Sequence, residues 1–220
     1  MTATTRRRTT QAAAVVAALI LLVWVLLRPH PLEDATRTAG PPPKPQDVVA
    51  GTVLNPRPCY RPATEPFRPT QITVPGVTRD ATVLALHRDA ENVPGAPPIS
   101  DTGKTQFAWS IPPDPMPGDP KGNVLLNAHT WPDDSALGNK LLDNLEIGGR
   151  IIVHGVGKHG QPETLCYQVT KRQVIVASDG SFEYYERNGP PQLALIVCSP
   201  PRLGPGNWLH RTIWYASPLA

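Results

Sequence analysis

The chain is 220 residues long, with 28 prolines, three cysteines and a formal net charge of +3. Arg6, Arg7 and Arg8 account for the whole positive excess, so the remainder is charge-balanced and offers no basic footprint for nucleic acid. The proline content excludes an architecture of long helices, and the length allows one ordinary domain plus extras.

Residues 1–10 hold the arginine cluster and read as a cytoplasmic N-terminus. Residues 9–27 carry no charge, and Ala12–Leu27 is apolar throughout. As a helix this run spans roughly 28 Å, about one hydrocarbon core. We read residues 11–27 as a single-pass transmembrane anchor in the plasma membrane, with the arginines inside and everything after it outside. The alternative, a cleaved signal peptide, lacks a small-x-small cleavage site, because Arg28, Pro29, His30 and Pro31 follow Leu27 at once. Residues 28–69 are dense in proline, including Pro41–Pro43, Pro45, Pro56, Pro58, Pro62, Pro66 and Pro69. They read as a stiff, extended extracellular linker. A catalytic or binding domain is expected over residues 70–220.

Within that domain, short apolar or alternating runs predict strands at Gln71–Pro75, Ala81–His87, Asn123–Ala128, Arg150–His154, Thr164–Thr170, Gln173–Ala177, Leu193–Val197 and Thr212–Ala216. Glu91–Pro120, rich in Pro and Gly, reads as irregular. Apolar residues at 137, 141, 142 and 145 predict a helix over Ser135–Leu145, with Ser135 as its cap. Phe182–Arg187 reads as a helical turn. Eight short strands with one or two short helices define an all-β chain, a barrel or a sandwich.

Three residues stand where chemistry is feasible. Cys198 ends an apolar strand, and a thiol at a strand end lies at a rim that substrate can reach. His129 lies just past the strand NVLLNA and can serve as a general acid or base. Arg211 begins the last strand and can donate hydrogen bonds to a developing oxyanion, a role for which Arg202 competes. If the last two strands pair antiparallel, Cys198 and Arg211 can face one cleft. Each has a plainer reading: a buried structural cysteine, a loop histidine, a strand-edge arginine. Asp133 and Asp134 read as solvated turn acids. His154 and His159 lack zinc-ligand spacing, and no metal or cofactor is expected. The odd cysteine count leaves one thiol over: if Cys59 and Cys166 are bridged, Cys198 is the free one.

Together these segments resemble the sortase family, the membrane-anchored cysteine transpeptidases of Gram-positive bacteria. NVLLNAHTW followed by LGNKLLDNLEIGGRIIV looks like the histidine strand, short helix and next strand of a sortase. LALIVCSP looks like the cysteine strand, and HRTIWYA, thirteen residues from Cys198 to Arg211, looks like the arginine strand. The resemblance implies an eight-stranded β-barrel, with Cys198 as nucleophile, His129 as acid/base and Arg211 as oxyanion donor. It implies cleavage of an LPxTG-like C-terminal sorting signal on secreted proteins and transfer to an amine of a cell-wall precursor or another protein subunit. Two positions depart from the family pattern: Val197 stands where Thr is usual and Ala128 where Gly is common. The proline-rich chain and short domain look most like the actinobacterial class F or class E enzymes. The competing expectations are a non-catalytic, membrane-tethered β-domain that binds a wall polymer or partner, and another thiol enzyme, such as a cysteine peptidase or an L,D-transpeptidase.

Overall fold

The computed structural model describes Cys59 and residues 63–219. The anchor expected at residues 11–27 and the linker as far as residue 58 lie outside the described residues. Among the described residues no helix is long and apolar enough to cross a membrane.

Eight strands close into a barrel. They are β1 (Arg68–Val74), β2 (Thr78–Leu86), β3 (Phe107–Ser110), β4 (Asn123–Ala128), β5 (Arg150–Val156), β6 (Pro162–Val176), β7 (Gln192–Gly204) and β8 (Asn207–Pro218), in the order β1-β2-β3-β4-β7-β8-β6-β5. Two junctions, β2 with β3 and β4 with β7, are parallel, and the other six are antiparallel. One α-helix, α1 (Leu137–Asn144), joins β4 to β5. Closure removes the exposed edges that a short-stranded sheet would otherwise present.

The barrel interior takes alternate residues of each strand: Ile72 and Val74, Val124 and Leu126, Leu193, Leu195 and Val197, Trp214 and Ala216. The outward residues between them are buried as well where the segment linking β6 to β7 folds over the wall. Leu125, Ala194, Ile213 and Tyr215 pack there against Tyr184. Burial on both faces is why NVLLNA and LALIV read as near-continuous apolar runs rather than alternating ones. Tyr184 donates its hydroxyl to the Leu126 carbonyl at 3.2 Å, and Asn123 Nδ2 donates to the Glu183 carbonyl at 2.7 Å, pinning this segment to β4. Phe182–Tyr185 is a turn, closed by Tyr185 N–H to the Phe182 carbonyl at 3.1 Å.

The eight-strand count agrees with the sequence reading, but three elements differ. Phe107–Ser110, inside the stretch read as irregular, is β3, and all four of its residues are buried. The two runs read at 164–170 and 173–177 are one strand, β6, with a register shift between Val169 and Lys171 that breaks its alternation. The segment read as a loop after Cys198 stays paired: β7 and β8 run as a hairpin to a turn where Gly206 takes φ +68°, a left-handed conformation that favours glycine. The helix starts at Leu137 with Ala136 in the cap position. Ser135 does not cap it; its hydroxyl donates to Asp133 instead, at 2.6 Å. At the N-terminal boundary, β1 begins at Arg68 and Phe67 is already in the core.

Cys59 is disulfide-bonded to Cys166 in β6, across 107 residues of sequence, and Cys198 is the free cysteine. The bridge fastens the residues before β1 to the barrel wall and restricts the unfolded chain. Cys59→Ala is expected to lower stability by about 2–4 kcal/mol, measured by denaturant unfolding of the oxidised protein. An unchanged midpoint would show that the bridge contributes nothing to the fold.

Candidate active site

The parallel pair β4–β7 and the antiparallel pair β7–β8 bring the three sequence-predicted residues together. Ala128 pairs with Val197 at the end of β4, so His129 leaves the sheet beside Cys198. The chain stays close beyond that point, because Thr130 Oγ1 donates to the Cys198 carbonyl at 2.6 Å. On the other side of β7, Cys198 is the direct register partner of Arg211. Directly opposed residues of an antiparallel pair put their side chains on one face, with Cβ atoms about 5 Å apart. Arg202, the competing arginine, lies past a register shift opposite Trp208 and is exposed.

His129, Cys198 and Arg211 line one cleft of about 440 Å³ on the outer face of the sheet, a size suited to a ligand or an extended peptide segment. Val93, Pro94 and Ala96 form one wall, and Ser181, Tyr184 and Tyr185 from the β6–β7 segment contribute another, with Ile175 and Ile196 also lining it. The cleft is thus mostly apolar, with a thiol, an imidazole and a guanidinium as its reactive groups.

Each of these groups has a defined setting. His129 Nε2 lies 2.6 Å from the Pro97 carbonyl. A carbonyl only accepts, so Nε2 is the donor, and Nδ1 has no hydrogen-bond partner among the described residues. The ring also meets Trp131 edge-on, with centroids 5.9 Å apart. Trp131 is fixed by Asn139 of α1, which accepts from its N–H at 2.8 Å and donates to its carbonyl at 3.0 Å. Gly138, the second residue of α1, donates its N–H to the His129 carbonyl at 2.7 Å. A Cβ at Gly138 would overlap that oxygen, so glycine is what lets the helix pack onto the histidine's own backbone.

Arg211 uses Nη1 to donate to the Trp208 and His210 carbonyls, at 3.1 and 3.0 Å. Its remaining N–H groups have no hydrogen-bond partner among the described residues. Burial pushes the Cys198 thiol above its usual range, and the Arg211 charge pulls it part of the way back. At neutral pH the resting cysteine is therefore mainly the thiol. Among the described residues no group of three His, Cys, Asp or Glu side chains is placed to hold a metal ion.

The sequence reading missed Thr130, Trp131, Asn139 and the 93–97 wall. The wall carries no motif and becomes part of the site only through the fold. Asn139 had no signal in the helical pattern: it lies on the side of α1 away from Leu137 and Leu141, and is buried there by the Trp131 turn. Asp133 and Asp134, given no role, serve the turn: Asp133 bonds Ser135, and Asp134 accepts from Asn139 at 2.9 Å.

No family model and no curated protein matches the chain. Among solved structures it is similar to sortases. Streptococcus agalactiae sortase C1, in complex with MTSET, aligns at 20% identity with a TM-score of 0.49, over 68% of each chain. Sortase C-1 of Streptococcus pneumoniae aligns at 18% identity and TM-score 0.48, over 69% of this chain and 66% of that one. Listeria monocytogenes sortase A aligns at 18% and 0.46, over 68% of this chain and 86% of that one.

The thiol's setting has a measurable consequence. The alkylation rate of Cys198 by iodoacetamide is expected to keep rising with pH beyond the ordinary thiol range. Arg211→Ala is expected to slow alkylation at a fixed pH near 8, because removing the cation raises the thiol further. A rate plateau already reached at neutral pH would contradict this setting.

Proposed function

We propose that the chain is a sortase-type cysteine transpeptidase, and one observation carries the reading: a free cysteine directly opposed to an arginine across β7–β8, with a histidine leaving the adjoining strand into the same cleft. In this mechanism the Cys198 proton passes to Nδ1 of His129, and Sγ attacks the carbonyl carbon of a peptide bond in a sorting signal. The carbonyl oxygen becomes an oxyanion, and the N–H groups of Arg211 not committed to backbone carbonyls stabilise it. The carbon–nitrogen bond breaks as His129 returns its proton to the leaving amine, and a thioester remains on Cys198. An incoming amine attacks that thioester, His129 takes its proton, and the new amide leaves as the thiolate departs.

Burial raises the thiol and the Arg211 charge offsets part of that rise. Bound peptide that fills the apolar cleft and presents its carbonyl to Arg211 adds stabilisation in the transition state, where it raises turnover. The substrates in this reading are secreted proteins with an LPxTG-like signal, and the acceptor is an amine of a wall precursor or another protein subunit. The Cys59–Cys166 bridge supports a compartment outside the cytosol. The uncharged run at residues 11–27 supports an anchor that holds the domain at the outer membrane face. The proline-rich chain and short domain support a class F-like or class E-like enzyme of an actinobacterium.

The test incubates the full-length protein, in mild detergent, with a library of LPxTG-like peptides and an added amine, and follows Cys198 by mass spectrometry. A Cys198-dependent acyl adduct that transfers to the amine is expected. Cys198→Ala should abolish it, and Arg211→Ala should lower turnover about 10²–10³-fold. Failure of every peptide to acylate, with a thiol that resists alkylation in the native state, would favour the non-catalytic β-domain.

A further inference from the structure

Asp114 is an acid in a proline-rich turn, IPPDPMPGDP, where a carboxylate would ordinarily be solvated. It is instead 3% exposed. Five hydrogen bonds converge on it. Arg88 donates from Nε to Oδ2 at 2.7 Å and from Nη2 to Oδ1 at 2.8 Å. Arg187 donates from Nε and Nη2 to Oδ1 at 3.1 and 2.7 Å. Ser110, the last residue of β3, donates its hydroxyl to Oδ2 at 2.6 Å. Burial by itself would raise this carboxyl, but the bonds from Arg88, Ser110 and Arg187 outweigh it and hold the group below the usual carboxylate range.

The donors come from three separate stretches: the segment after β2, the end of β3, and the segment before β7. Two of those stretches are the cleft's walls. Arg88 donates Nη1 to the Asn92 carbonyl at 2.8 Å and lies over the Tyr185 ring, 4.9 Å from its centroid. It also forms a backbone bridge with Pro94. From there the 93–97 wall reaches β4 and the residue that follows it. Asn127 Nδ2 donates to the Gly95 carbonyl at 2.8 Å, and the Pro97 carbonyl receives Nε2–H of His129. The chain of contacts therefore runs from Asp114 through Arg88 to the carbonyl that sets the tautomer of His129.

Stability alone does not account for such a cluster, since well-packed apolar residues often stabilise a core as well as a buried ion pair does. What the fork-shaped bonds of arginine add is orientation. We propose that Asp114 is a positioning residue of the active site: by fixing Arg88 and Arg187 it holds the 88–97 wall so that Pro97 presents its carbonyl to His129. The proposal rests on His129 being the acid/base of the reaction above.

Three variants of the full-length chain test it: Asp114→Asn, Arg88→Lys, which keeps the charge and loses the fork, and Val169→Ala, a core change outside the cleft lining that controls for stability. Nitrogen-resolved NMR of the His129 ring reports the tautomer, and peptide transfer reports kcat and KM. In the wild type the neutral ring should carry its proton on Nε2. In Asp114→Asn a mixture of tautomers is expected, with kcat lower by about 10- to 100-fold, the scale of a small misplacement of a catalytic group, and Arg88→Lys intermediate. Val169→Ala should change neither. An unchanged tautomer and a kcat within about twofold of wild type in Asp114→Asn would overturn the proposal, as would a loss that merely tracks the folded fraction. If Asp114→Asn does not fold, Arg88→Lys decides alone, by the same criteria. The ring signals need no peptide, so a wild type that transfers nothing would refute the transpeptidase reading while the positioning role is still decided by the tautomer.

Discussion

Strand β7 is hydrogen-bonded along both edges, to β4 running parallel and to β8 running antiparallel. That double pairing brings His129, Cys198 and Arg211 to one cleft. Register along the β4 side delivers His129 beside Cys198 in the middle of β7, and register along the β8 side sets Arg211 opposite Cys198. A slip of one residue in either ladder would turn one of the three side chains to the other face of the sheet. The slip is opposed by Leu193, Leu195 and Val197, which must stay inside the barrel against Trp214 and Ala216. The outward residues Ala194 and Ile196 must stay under Tyr184. The apolar core is therefore also what fixes the geometry of the polar site.

The thiol illustrates how two opposing effects are set by the same fold. Folding the β6–β7 segment over the outer wall makes an apolar cleft and takes water away from Cys198, which disfavours the thiolate. The direct pairing with Arg211 supplies a cation that favours it. Burial is the larger of the two. The result is a thiol held above its usual range by burial and drawn part of the way back by its arginine partner. The same dry environment strengthens any hydrogen bond that the uncommitted N–H groups of Arg211 give.

The walls of the cleft are held differently from its base. The base is a backbone ladder, whereas the 88–97 wall and the β6–β7 segment are loops fastened by side chains: Asn123, Asn127, Tyr184 and the carboxylate of Asp114. Charged bonds suit that task, because a guanidinium fork specifies direction as well as distance. Lys104 extends the pattern on the other side of His129. It stands 5.1 Å over the Trp131 ring and 3.1 Å from Asp101, and its contacts to exposed acids are worth little individually.

Most of the strands, the place of the helix and the chain order of His129, Cys198 and Arg211 at the edges of apolar runs were legible in the sequence. These depend on local pattern: runs of apolar residues for a sheet buried on both faces, helical spacing at 137, 141, 142 and 145, and a thiol or an arginine at the end of such a run. It misjudged what depends on pairing. Phe107–Ser110 is too short to announce itself and is a strand only because β2 and β4 flank it. The prolines after Cys198 suggest a loop, yet β8 keeps β7 paired down to the turn at Gly206. Lys171–Arg172 reads as a break because a register shift between Val169 and Lys171 interrupts the alternation of β6. The Cys59–Cys166 bridge and the wall that reaches His129 were decided by the tertiary structure alone. Each joins residues far apart in the chain, and only the closed barrel makes them neighbours.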